Sequence, residues 1–216
     1  MPFGDMAEMK QNSSMMDRLG WPQHKLAIAL AGVFAVALGL RLWGIAFGLP
    51  YTYHPDEGAV VMPAINILRT GDFRPARLDY GSTYIYSLTA LYIPYFIYGA
   101  WRGLFHVVTD LPYFPDYHQI DHYPFPVIYL LARGWTALLG SLTLFPVYAI
   151  GKRLYSRRAG LAAAVFCSLA PFGIQNSHFA TTEVPMTLLV MLALERTIRV
   201  YDSGGWRDYA WAGLGV

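Results

Sequence analysis

Long apolar stretches alternate with short polar corners along this chain. Leu26–Leu49 is apolar apart from Arg41. About 20 residues cross a hydrocarbon core, so this stretch predicts a first membrane span. It is too long for a signal-peptide core and no small-residue cleavage site follows promptly, which predicts an uncleaved anchor. Residues 127–150, 159–180 and 184–201 predict three further spans, and 206–216 starts another that stops unfinished. In Gly58–Thr70, Val60, Val61, Ala64, Ile65 and Leu68 share one helical face, with Asn66 and Arg69 off it. That segment is too short to span, so residues 57–70 predict an amphipathic helix along the interface. Pro63 predicts a bend or a late start in it, and Gly71 a stop. Residues 82–105 are long enough to cross, but Tyr84, Tyr86, Tyr92, Tyr95, Tyr98 and Pro94 run through them. Tyrosine spread through the length suits a second interfacial helix.

Composition agrees with a membrane protein. The chain is 55% hydrophobic and 14% charged, against about 25% charged in soluble domains. The expected fold is all-α: a polytopic transmembrane helical bundle, with interfacial helices in the first outer loop. The expected organisation is a cytoplasmic lead at 1–25 and, from 26 to 216, the N-terminal part of a longer multi-span domain. A net charge of +2 is too small to argue for nucleic acid. The single cysteine, Cys167, allows no intrachain disulfide.

Charge sets the expected orientation. Lys152-Arg-Leu-Tyr-Ser-Arg-Arg158 should be cytoplasmic, together with Lys10, Arg18, Lys25, Arg196, Arg199 and Arg207. The first span then puts Asp56 outside, and an odd number of crossings must connect it to the basic cluster. One of the two intervening apolar stretches must therefore stay at the surface, and the tyrosine-rich 82–105 is chosen. Asp56, the loop 106–126 and Glu183 then all face outwards. The expectation is a multi-pass plasma-membrane protein with a cytoplasmic N-terminus.

The candidate chemistry centres on His54-Pro-Asp-Glu57. A carboxylate beside a bilayer is costly and is normally kept for a purpose. Asp56 after Pro55 also suits a helix N-cap, and Glu57 suits the helix dipole. The functional reading makes this pair a general base for a hydroxyl. Arg41 either snorkels to the headgroups or partners one of the two acids. Glu183, two residues before Pro185, is either a helix-start acid or a second carboxylate that orients an acceptor or holds a divalent cation with Asp56. His54 and His178 flank the two corners, where a lone histidine is more often structural than a ligand. Arg69, Arg74 and Arg77 are the basic residues nearest the acidic pair. They meet lipid headgroups or hold a leaving phosphate. His118-x-x-x-His122, with Asp116 and Asp121, has metal-like spacing but no helical pattern to present it.

The order of these features is specific. An acidic pair follows the first span, then a helix ending Ile-Leu-Arg-Thr-Gly-Asp-Phe-x-Pro, then Arg133 opens a span. A Gly-Lys-Arg-Leu-Tyr turn, Ala170-Pro171, and Ser177-His178 before an acid and Pro185 complete it. This order resembles the C-type integral-membrane glycosyltransferases, in the bacterial branch similar to protein O-mannosyltransferases and lipid A aminoarabinose transferases. The resemblance implies transfer of a sugar from a polyprenyl-phosphate carrier, with inversion, to an acceptor hydroxyl of a lipid, glycan or protein on the outer face. It places the family's base on Asp56 and its second acid on Glu183, where many relatives carry Asp. It also implies many further spans, often with a soluble outer domain. The competing reading is a non-enzymatic transporter or lipid-handling protein. That reading predicts carboxylates at mid-membrane, whereas Asp56 and Glu183 lie at span ends.

Overall fold

The computed structural model describes residues 22–51, 53–74, 80–116, 122–123, 125–203 and 205–214. Their secondary structure is helical, apart from one isolated antiparallel bridge between Tyr51 and His122. The helices are α1 (Gln23–Leu42), α2 (Asp56–Thr70), α3 (Ser82–Trp101), α4 (Pro126–Leu142), α5 (Leu144–Leu154), α6 (Arg157–Leu169), α7 (Pro171–Asn176), α8 (Glu183–Ser203) and α9 (Trp206–Leu214), with a 3-10 turn at Val108–Asp110. Among the described residues two helical stretches are long and apolar enough to cross a membrane, Gln23–Leu42 and the run of α4 and α5 over Pro126–Leu154.

The chain divides into two compact units. One comprises Arg41–Leu138 and Gln175–Met186, and the other comprises the rest. In the first unit α2 is the centre. Every residue from Glu57 to Ile65 is buried, and Ile67 with them. Its burial is therefore not confined to the one apolar face read from the sequence. Gly58, Ala59 and Ala64 are small, so neighbours can close on α2 from all sides. The helix runs through Pro63. It ends where Gly71 takes a left-handed conformation, φ 71°, and donates its N–H to the Ile67 carbonyl, a turn that costs glycine nothing.

α3 packs on α2, with the Thr89 hydroxyl donating to the Ala64 carbonyl at 3.1 Å. Its buried positions are Tyr84, Ile85, Leu88, Thr89 and Tyr92, the stripe of a helix with one inward face. Two of the five tyrosines are therefore interior. Tyr84 shares a hydrogen bond with the Thr136 hydroxyl at 2.6 Å, and Tyr92 donates to the Ile128 carbonyl at 2.8 Å. Tyr86 and Tyr98 are exposed. Tyrosine here fills a core as well as suiting an interface, because a buried phenol with a partner is both bulky and satisfied. On α4, Ile128, Tyr129, Ala132, Arg133, Thr136 and Ala137 are the buried stripe.

In the second unit α5 and α6 form a tight hairpin. A Cβ on Gly160 would lie 2.6 Å from the Tyr148 carbonyl oxygen, and one on Gly151 would lie 2.8 Å from the Gly160 Cα. Two backbones can approach this closely only where side chains are missing. Ser156 caps α6 by accepting the Ala159 N–H at 3.2 Å. The basic residues Lys152, Arg153, Arg157 and Arg158 flank this turn. Ala37, Leu144 and Ala164 are its buried apolar cluster, surrounded by Leu30, Val33, Phe34 and Tyr148.

Two of the expected spans have other boundaries. α1 stops at Leu42 and turns follow to Pro50, with Gly44 and Gly48 at positive φ. The stretch 159–180 is not one helix. α6 ends at Leu169, and Ala170 is extended at φ −61°, ψ 114°. Pro171 disfavours the α conformation in the residue before it, which accounts for the break.

Candidate carboxylate site

The acidic pair sits at the start of α2. Pro55 holds the cap position and makes no side-chain cap bond. Asp56 is thus the first helical residue and not the cap that its sequence context suggested. Adjacent residues on a helix point about 100° apart, since 3.6 residues make a turn. The two carboxylates consequently enter different surroundings.

Glu57 points inward and is fully buried. Arg133 of α4 meets it with both ends of its fork, Nε to Oε1 and Nη2 to Oε2, each at 2.7 Å. The Ala180 backbone N–H also donates to Oε1, at 2.9 Å. Arg133 is equally buried, and its Nη1 donates to the carbonyls of Ile45 and Phe47 at 2.9 and 2.8 Å. Four of the five guanidinium N–H groups are therefore used. Arg41, offered by the sequence as a partner for the acids, is buried; the arginine bonded to Glu57 is Arg133.

Asp56 points outward, with its side chain 41% exposed. The Tyr80 hydroxyl donates to its Oδ1 at 2.7 Å. Its Oδ2 lies 4.0 Å from His54 Nδ1. The His54 ring rests on Phe179 with centroids 5.0 Å apart. Phe179 also stacks on Tyr53 at 6.0 Å and lies 5.2 Å from the Arg133 guanidinium. Glu183 is exposed, at the first residue of α8. Glu57 and Glu183 both lie near enough to the Tyr84 phenol for their charge to act on it.

The structure gathers His54, Asp56, Glu57, His178 and Glu183 into one unit. His178 donates its backbone N–H to Gln175 in the turn that leads to Phe179. Arg69 is in the same unit but is used elsewhere. It sits at the far end of α2, about 20 Å from Asp56 at 1.5 Å rise per residue. Its Nη1 donates to the carbonyls of Thr109 and Leu111, and its guanidinium covers Tyr113. Arg74 is exposed beside Asp72. Arg77 lies outside the described residues, as do His118 and Asp121 of the metal-like spacing. His122 is placed by its bridge to Tyr51. Among the described residues no three of His, Cys, Asp and Glu gather as a metal site. Both oxygens of Glu57 are engaged by Arg133 and the Ala180 N–H.

Sequence reasoning left Arg133, Tyr80, Phe179 and the Ala180 N–H without a role. Arg133 carried a signal, being the one charge in an apolar stretch. Tyr80, in a loop, carried none.

No curated protein and no solved structure matches the chain. Residues 129–216 match the model of the dolichyl-phosphate-mannose-protein mannosyltransferase family. The matched segment holds Arg133, Phe179, Ala180 and Glu183, while Asp56 and Glu57 precede it. Over that segment the chain is similar to a family of mannosyltransferases, and the helical fold with its two apolar helices is consistent with a membrane protein.

Proposed function

We propose that Asp56 is the general base of a transferase that moves a sugar from a polyprenyl-phosphate carrier to an acceptor hydroxyl at the outer face of the membrane. The observation that carries this is the contrast within the acidic pair. Glu57 is sealed by Arg133, while Asp56 is open on one side and held by Tyr80 on the other.

In the proposed step the acceptor oxygen attacks the anomeric carbon. The bond from that carbon to the phosphate oxygen breaks, polyprenyl phosphate leaves, and the hydroxyl proton passes to Asp56 Oδ2. Attack opposite the leaving phosphate inverts the anomeric centre. Tyr80 keeps Oδ1 occupied, so the free lone pairs of Oδ2 face the acceptor. His54 borders that oxygen, and Glu183 and His178 are proposed to orient the acceptor. Arg74 and Arg77 are the proposed contacts for the leaving phosphate; Arg69 is engaged by its own loop.

The test is transfer of labelled sugar from polyprenyl phosphate in membranes carrying the full-length protein. A positioned base typically contributes about 10²–10⁴-fold in rate. Asp56→Asn is expected to accumulate normally and to lose activity by that order, and an unmodified rate would remove Asp56 from the role. For the orientation, cysteines at 56 and 183 should react with an impermeant thiol reagent in intact cells, and Ser156→Cys should not.

A further inference from the structure

We infer that Arg133 is a positioning residue of this site, acting on Asp56 through the Glu57 carboxylate and the Phe179 ring. The inference rests on the reading of Asp56 as the base.

Arg133 ties together three segments that are distant in sequence. It holds the turn at Ile45 and Phe47 by their carbonyls and the start of α2 by Glu57. The third segment is the corner at 179–180, held through the Ala180 N–H on Glu57 and through the Phe179 ring under the guanidinium. Phe179 carries His54, and His54 borders Asp56 Oδ2. One guanidinium therefore fixes the first turn of α2, which bears Asp56, and the aromatic wall beside it.

Stability alone is a weak reason for this arrangement. A buried ion pair is often no better than well-packed apolar residues of similar volume. What the pair adds is direction. Two parallel bonds between planar groups fix orientation as well as distance, which a lysine cannot do. The pair also neutralises the second carboxylate, which leaves Asp56 as the member of the acidic pair with an open oxygen. A catalytic group displaced by about 1 Å can cost about 10²-fold in rate.

The experiment uses the purified full-length protein in lipid nanodiscs, with polyprenyl-phosphate sugar as donor. The double variant Glu57→Leu/Arg133→Met removes both charges and leaves neither partner stranded. It should keep the parent's thermal midpoint within a few degrees while kcat falls about 10²-fold, and KM for the donor should change less than about threefold. Phe179→Leu leaves the ion pair intact and breaks the link to His54; it should lower kcat at an unchanged midpoint. A double variant with the parent's midpoint and the parent's kcat would overturn the inference, because the pair would then serve the fold alone. If the double variant fails to fold, Phe179→Leu decides: parental kcat overturns the inference and a lowered kcat at an unchanged midpoint supports it. Asp56→Asn is measured alongside. If Asp56→Asn is inactive and the other variants are not, the positioning role fails and the base survives. If Asp56→Asn is active, the base reading itself fails.

Discussion

The two compact units are held by opposite means. The unit of α5 and α6 closes on absent side chains: Gly151 and Gly160 let two backbones meet, and alanines and one leucine fill the space beside them. The unit of α2 closes on polar groups that need partners: a buried arginine, a buried glutamate and two interior tyrosines with bonded hydroxyls. Small-residue packing fails when something is added. A polar knot fails when something is removed. The carboxylates that could do chemistry lie in the second kind of unit, where rigidity is specified by direction and not by volume alone.

The sharpest break of this comparison is to remove one partner of the knot. Arg133→Leu strands a buried carboxylate, which typically costs about 3–5 kcal/mol. It should lower the thermal midpoint of the purified protein more than any glycine substitution in the hairpin. A midpoint equal to the parent's would show that the pair is solvated after all.

Adding volume to the hairpin comes next. Gly160→Val puts a branched side chain where even a Cβ would meet the Tyr148 oxygen at 2.6 Å, and overpacking of this kind costs about 1–3 kcal/mol. Gly39→Ala is the contrast, since nothing lies within 4 Å of its added Cβ. It should be neutral or should stabilise by about 0.5–1 kcal/mol, because alanine loses less freedom than glycine in a helix. Equal effects at the two glycines would mean that the close backbone approach is not made.

A smaller effect separates fold from chemistry within the polar unit. Tyr80→Phe deletes the hydroxyl that donates to Asp56 Oδ1. A hydrogen bond to a charged group is worth about 1.5 kcal/mol at the low end, or about tenfold in rate. Transfer should drop by that factor while the midpoint holds.

The smallest effect lies at the loop that receives Arg69. The backbone N–H groups of His106 and Val107 hold the Asp110 carboxyl below its ordinary value of 3.8. Its folded value is the lower one, so the stabilisation is complete above pH 3.8 and is lost as pH falls through the folded value. Asp110→Asn at neutral pH should speed amide exchange at His106 and Val107 and leave α2 protected. Unchanged exchange at those amides would show that the Asp110 carboxylate does not hold them.

Much of the fold was legible because it is local. Helix starts and stops follow from nearby residues: Gly71 closing α2, Ser156 opening α6. Other local signals were present but were outweighed by length. Ala170-Pro171 breaks 159–180 even though the stretch is uncharged and long enough to span. The role of α2 was harder, since apolar periodicity reports one face and cannot report that small residues admit neighbours on the others. Of the site, the acidic pair was visible as two charges at a span end. Nothing local distinguished the two.

Residue order alone is enough to show that the chain is helical and apolar, where its basic turn lies, and that Asp56 and Glu57 are adjacent. Tertiary structure decided that one carboxylate is sealed and the other open. Arg133 lies 76 positions from Glu57 and Ala180 lies 123 positions away. No periodicity encodes such pairings, because they arise when separate helices pack and a buried charge must find the partner that its desolvation demands.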